Sequence, residues 1–226
     1  MTDAFACRAV LWDFGGVILS SPFESFRHYE IANGLPVDFI RTVNATDPHT
    51  NAWARLERSD ISAREFDEAF ATEAHALGHR IPGSDVLSLL SGEIRPEMVG
   101  ALDAVRAAGY LTACLTNNVS DGHMPTARTA GRTADRTADD RGEAIAAIMA
   151  RFDAVVESSK VGVRKPEPRF YEIACEQLGV QPHECVFLDD LGINLKPAAA
   201  MGMRTIKVVS AEQAIADLAA TLALPL

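Results

Sequence analysis

Hydrophobic and polar positions divide the chain into two regions of different character. In "VLWDFGGVIL", residues 10–19, Val10, Leu11 and Trp12 form an apolar run that meets Asp13 and then Gly15 and Gly16. This is the pattern of a buried strand entering a tight glycine turn. Residues 20–92 show no strand-like alternation. "PFESFRHYEIANGL", "PVDFIRTVNAT", "TNAWARLERSD", "ISAREFDEAFATEAHALG" and "GSDVLSLLSG" read as short helices punctuated by Gly, Pro, Asn and Asp. Ser62 followed by Glu65 is a capping-box signature. From Arg95 onward helix and strand alternate: "PEMVGALDAVRAAG" as a helix, "YLTACLTNN" and "FDAVVES" as strands, "PRFYEIACEQLG" as a helix, "CVFLDD" as a strand, "NLKPAAAMG" as a helix, "RTIKVVS" as a strand and "AEQAIADLAATLA" as a last helix.

Strands alternating with helices predict an α/β fold, a parallel sheet covered on both faces with ligands at the carboxyl ends of its strands. The helical block interrupts that pattern. The chain therefore reads as a core made of residues 1–19 and 93–226 and a small all-helical cap, residues 20–92, inserted after the first strand over the edge that carries Asp13. "ARTAGRTADRTADDRG", residues 127–142, repeats Arg-Thr-Ala without an opposing apolar stripe and reads as a solvated connection.

At 226 residues the chain has room for one substantial core and a smaller module. A formal net charge of −10 with no basic cluster argues against a nucleic-acid or anionic-membrane surface. No apolar run approaches a membrane span, and the start "MTDAFACRAV" has no basic-then-apolar signal pattern, so a cytoplasmic location is expected. Cys7, Cys114, Cys175 and Cys185 are scattered without metal-ligand spacing and read as free thiols. A monomer or a homodimer is expected.

Four groups of polar residues fall at strand ends or in the loops beside them: Asp13; Thr116, Asn117 and Asn118; Lys165 in "VRKPEP"; and Asp189 with Asp190. Carboxylates from two strands, a hydroxyl and an ammonium are the parts of a metal-assisted phosphoryl-transfer site. Mg²⁺ favours oxygen ligands, a carboxylate can form an aspartyl-phosphate, and a lysine can hold phosphoryl charge.

"WDFGGVIL", "LTNN", "KVGVRKPEPRFY" and "VFLDDLGINLKPAAAMGM" resemble, in order and spacing, the four motifs of the haloacid dehalogenase-like hydrolases. The resemblance is greatest to the phosphatase group similar to the N-terminal domain of soluble epoxide hydrolase. It implies a Rossmann-like core with an inserted cap and a Mg²⁺-dependent phosphatase acting on a small phosphorylated molecule. Asp13 would be nucleophile and Mg²⁺ ligand, and Thr116 and Asn117 would hold the phosphoryl group. Lys165 would stabilise its charge, Asp189 and Asp190 would hold Mg²⁺ directly or through water, and Asn194 would steady their loop. The chain departs from the family at Gly15, where most phosphatases of the superfamily carry a second Asp as general acid and base. Glycine keeps the main-chain carbonyl expected to reach Mg²⁺ but cannot transfer a proton. His28 and His49, in the cap, are candidates to replace that acid. Trp53 and Tyr29 read as packing between cap helices ahead of lining a pocket. Two other readings remain: a metal-independent 2-haloacid dehalogenase, which needs no acid for halide departure, and a catalytically silent binding protein of the same fold.

Overall fold

The computed structural model describes residues 7–90, 92–118 and 134–226, apart from the side chains of Glu24 and of residues 134–139. Its centre is a five-stranded parallel sheet: β1 (Ala9–Trp12), β2 (Leu111–Thr116), β3 (Ala154–Glu157), β4 (Cys185–Asp189) and β5 (Arg204–Lys207), in the order β3-β2-β1-β4-β5. Side chains along a strand alternate between faces, so β1 supplies two cores. Val10 and Trp12 join Val186, Leu188 and the apolar stripes of α6 (Pro96–Ala107) and α11 (Ala211–Leu222) on one face. Ala9 and Leu11 join Leu115, Phe187 and residues of α9 (Pro168–Leu178) and α10 (Gly192–Ala200) on the other. All four β1 residues are fully buried, which explains why that strand is a continuous apolar run.

The register brings the chemistry together. Trp12 lies opposite Leu188 on one side and Cys114 on the other, so Asp13 and Asp189 leave neighbouring strands at the same level. Thr116 ends β2 on the other flank of β1, opposite Glu157.

Between β1 and α6 the chain forms α1 (Phe23–Ala32), α2 (Phe39–Ala45), α3 (Ala52–Glu57), α4 (Ala63–Ala76) and α5 (Gly83–Ser88). These helices enclose an apolar cluster of their own that includes Phe26, Phe39, Ile40, Leu56, Phe66 and Phe70. The Ser62–Glu65 capping box starts α4. Tyr29 donates its hydroxyl to Asp85 at 2.6 Å, and Trp53 packs edge-on against Phe66, so both work inside this block. The two connections to the sheet run side by side. Leu19 bridges Ile94, Ser20 N–H donates to the Glu93 carbonyl at 2.7 Å, and Glu93 N–H donates to Ser20 Oγ at 2.8 Å. A side chain at position 92 would stand 2.3 Å from the Ser20 carbonyl, so only glycine lets the two connections lie this close.

One expectation is corrected. Of the stretch read as a solvated connection, residues 127–133 lie outside the described residues, and the remainder opens α7 (Ala134–Met149). The apolar stripe absent from the Arg-Thr-Ala repeat follows directly after it. Ile145, Ile148 and Met149, at helical spacing, pack onto the core that holds Trp12. Arg141 of α7 reaches the Gly92 carbonyl and lies 3.7 Å from Glu93. Among the described residues no helix is long and apolar enough to cross a membrane. All four cysteines are free.

Candidate active site

Asp13 is the first residue past β1, and its N–H still bonds the Leu188 carbonyl of β4 at 2.9 Å. The chain then makes one wide turn, Phe14–Ile18, capped by Asp13, whose Oδ1 accepts the Phe14 N–H at 2.6 Å. The two glycines of the turn have different reasons to be there. Gly16 has φ +80°, and a Cβ there would lie 2.3 Å from the Asp190 carboxylate, so both backbone and packing require glycine. Gly15 has φ −72° and ψ 129°, open to any residue, and nothing stands within 4 Å of where its Cβ would be. The missing side chain at position 15 therefore reflects neither strain nor crowding.

Lys165 Nζ lies 2.7 Å from Asp13 Oδ1 and 2.8 Å from Asp189 Oδ2, with only 1% of its side chain exposed. Asp189 also accepts the Leu191 N–H at 2.7 Å, and Asn194 Nδ2 bonds both its oxygens at 3.1 and 3.0 Å. Tyr171 fixes the Asn194 carbonyl at 2.7 Å, so the Asn194 side chain that bonds Asp189 is itself fixed through its main chain. Asp190 lies over Gly16, and carboxylate oxygens of Asp13, Asp189 and Asp190 lie within 4.8 Å of one another. Burial, and then repulsion from Asp189, pushes the Asp190 carboxyl up to about 6. Burial also drives the Asp13 carboxyl well above its usual range, with Lys165 opposing and Asp189 adding to the rise. Burial works against the Lys165 ammonium, but Asp13 and Asp189 more than compensate and hold it above an ordinary lysine. Three carboxylates thus stand around one ammonium, which pairs with two of them. A set of hard oxygen donors with uncompensated charge fits a small divalent cation such as Mg²⁺.

Thr116 is buried at the end of β2. Asn117 has a task that the sequence did not reveal. Its Oδ1 accepts the Lys165 N–H at 2.9 Å, while its Nδ2 donates to the Lys165 carbonyl at 3.0 Å and to Glu57 Oε2 at 3.2 Å. Both amide hydrogens are committed, so the Asn117 side chain brackets the lysine main chain.

Glu57 and Arg164 went unnoticed in the sequence. Glu57, at the end of α3, is 6% exposed. Its Oε2 lies 2.5 Å from Arg164 Nε, and its Oε1 accepts Trp53 Nε1–H at 2.9 Å. Arg164 Nη1 also donates to the Pro48 carbonyl at 2.9 Å. Burial raises the Glu57 carboxyl above its usual range, against the pull of Arg164. The only sequence signal was the position of Glu57 one helical turn after Trp53, which is weak. His28 and His49, the candidate acids, are both exposed.

Several known proteins resemble this chain. Acyl-CoA dehydrogenase family member 10 of Mus musculus is 35% identical over 225 residues, 97% of this chain and 19% of that protein. Bifunctional epoxide hydrolase 2 of Mus musculus is 31% identical over 225 residues, 94% of this chain and 38% of that protein. The chain thus spans well under half the length of these two relatives. (S)-2-Haloacid dehalogenase 1 of Pseudomonas sp. (strain CBS-3) is 28% identical over 176 residues, 77% of this chain and 62% of that enzyme. A HAD family enzyme of Bacteroides thetaiotaomicron, solved in complex with magnesium and inorganic phosphate, shares the fold. Its TM-score is 0.54 at 20% identity, over 89% of this chain and 93% of that one. The family profile of the haloacid dehalogenase-like hydrolases matches residues 7–202, a span that starts before β1 and takes in Asp13, Thr116, Lys165, Asp189, Asp190 and Asn194. On that match, which runs through every residue of the charged cluster, the chain belongs to the haloacid dehalogenase-like hydrolases.

Proposed function

We propose that the protein is a Mg²⁺-dependent phosphatase that hydrolyses a small phosphorylated molecule through an aspartyl-phosphate on Asp13. The observation that carries this reading is the second carboxylate, Asp190, within 4.8 Å of the Asp13 and Asp189 oxygens. A buried excess of negative charge is of no use for attack on a phosphate anion unless a cation joins it. Mg²⁺ held by Asp13, Asp189, Asp190 and the Gly15 carbonyl would offset the repulsion between the nucleophile and the incoming phosphate.

The residues of the chain do the rest. Asp13 Oδ1 is held by the Phe14 N–H and by Lys165, which leaves Oδ2 as the attacking atom. The Oδ2–P bond forms in line as the ester P–O bond breaks, and Lys165 and the Thr116 hydroxyl take up charge on the phosphoryl oxygens. Water then attacks phosphorus, freeing phosphate and the Asp13 carboxylate. Residues 20–92 act as the cap, and their paired connections at Ser20 and Glu93 form its hinge. Gly15 supplies no proton to the departing oxygen. General acid catalysis is typically worth roughly 10²–10⁴-fold, so substrates whose leaving group departs unprotonated are favoured.

That glycine also suits a second reading, the 2-haloacid dehalogenase, because halide needs no proton. Asp190 speaks against it, since a metal-free displacement gains nothing from a further carboxylate beside the nucleophile. One assay separates the two: release of phosphate from acyl, aryl and alkyl phosphates, and of chloride from 2-chloroacids, with and without Mg²⁺. We expect Mg²⁺-dependent phosphate release, fastest from acyl and aryl phosphates. Chloride release indifferent to Mg²⁺, without phosphate release, would overturn the proposal.

A further inference from the structure

The segment that carries Lys165 is held from two sides. On the sheet side the Asn117 amide bonds both the N–H and the carbonyl of Lys165, at 2.9 and 3.0 Å. On the other side, residues 48–59 of the helical block grip residues 159–167 at four points. The Pro48 carbonyl accepts Arg164 Nη1 at 2.9 Å, Glu57 pairs with Arg164 Nε at 2.5 Å, Arg58 lies 3.5 Å from Glu167, and Ser59 Oγ donates to the Ser159 carbonyl at 3.2 Å. Glu57 is the group that joins the two sides. The oxygen that pairs with Arg164 also accepts from Asn117 Nδ2, the donor shared with the Lys165 carbonyl. A buried carboxylate is costly unless every partner is in place, and here a cap helix supplies the carboxylate while the core supplies the guanidinium and the amide.

We propose that Glu57 is a positioning residue: a latch from the helical block that sets the Lys165 main chain through Asn117 and Arg164, so that seating of the block and placement of the ammonium occur together. The inference deepens the phosphatase reading and rests on it only for the kinetic part of its test. Lys165 has to meet Asp13 and Asp189 at hydrogen-bond distance on one side and a phosphoryl oxygen on the other. A displacement of about 1 Å at such a group can cost on the order of 10²-fold in rate. With the block lifted, Arg164 loses its carboxylate and Asn117 loses one of its three bonds. A productive lysine would then be in place only when the block covers the site.

Glu57→Ala alone strands a buried guanidinium and would lower stability for that reason. The double variant Glu57→Ala/Arg164→Met removes the stranded charge and separates the two effects. We expect the double variant to recover the melting temperature lost in Glu57→Ala. On the fastest aryl phosphate its kcat should remain depressed by roughly 10-fold or more, with KM changed less. Glu57→Gln keeps one accepting oxygen, enough for Asn117 though not for Trp53 as well, and should retain more of kcat than either alanine variant. Hydrogen exchange at the Lys165 amide gives a reading that needs no turnover. Exchange should quicken in the double variant, while the Phe187 amide in β4 stays as protected as in the wild type. If the double variant regains kcat together with melting temperature, or if Lys165 amide protection is unchanged, the latch is wrong. Absence of phosphatase activity in the wild type would instead remove the reading it rests on and leave the exchange result to decide the latch.

Discussion

Asp13 and Asp189 pair with the single buried ammonium of Lys165 and Asp190 stands beside them, whereas Glu57 faces a guanidinium of its own on Arg164. Each cluster is built around buried groups, Asp13, Asp189 and Lys165 in one and Glu57 in the other, with Asp190 and Arg164 half-buried, and both join residues far apart in the chain. The Glu57 cluster is electrostatically closed: one carboxylate, one cation, and donors from Trp53 and Asn117 on the remaining oxygen positions. The Asp13 cluster is open, with three carboxylates around one ammonium; burial, with repulsion from Asp189 added, raises the Asp13 and Asp190 carboxyls. On the proposed function the difference marks two tasks: the closed cluster would orient neighbouring groups, and the open one would be completed by a bound cation.

Replacing the proposed nucleophile should separate the two clusters most sharply. Asp13→Asn keeps the size of the side chain and an oxygen for the Phe14 N–H but cannot form an acyl-phosphate, so turnover should fall to background while the fold is retained. Steady-state activity in this variant, measured in a preparation free of contaminating phosphatase, would remove Asp13 from the chemistry and with it the meaning given to the open cluster.

A smaller effect is expected on adding a group to the open cluster. The backbone at Gly15 suits any residue and the space beyond it is clear, so Gly15→Asp should be accommodated. If the carboxyl reaches the departing oxygen as an acid, kcat/KM on alkyl phosphates should rise by roughly 10²-fold, with little change on aryl phosphates. The check is the ratio of the two substrates, which is insensitive to the amount of active protein. An unchanged ratio would show that proton supply does not limit this enzyme.

The contrast between the clusters also explains what the sequence disclosed. Asp13, Lys165, Asp189 and Asp190 each follow an apolar run or a Lys-Pro loop signal, and a parallel sheet gathers such strand ends at one edge, so that cluster was legible before any coordinates. The strands themselves were legible for the same reason, since Val10 to Trp12, "LTACLT" and "CVFLD" are buried on both faces. Glu57 and Arg164 were not legible. Each lies in a stretch with unexceptional charge spacing, and their pairing depends on how the helical block sits against the sheet. Asn117 was placed correctly at a strand end, but its commitment to the Lys165 main chain depends on a loop that the β2 sequence does not describe. The helix at residues 134–149 was obscured by the Arg-Thr-Ala repeat, because its burying residues, Ile145, Ile148 and Met149, come after the repeat.

The most direct test of the account is a calorimetric titration of the metal-free protein with Mg²⁺, run on the wild type, on Asp189→Asn/Asp190→Asn and on Glu57→Gln. If the open cluster is a cation site, the wild type and Glu57→Gln bind Mg²⁺ at millimolar concentration or below, and the double variant does not. No binding to the wild type at millimolar Mg²⁺, or equal binding to the double variant, would contradict the central claim that the excess carboxylate charge beside Asp13 exists to hold a metal ion.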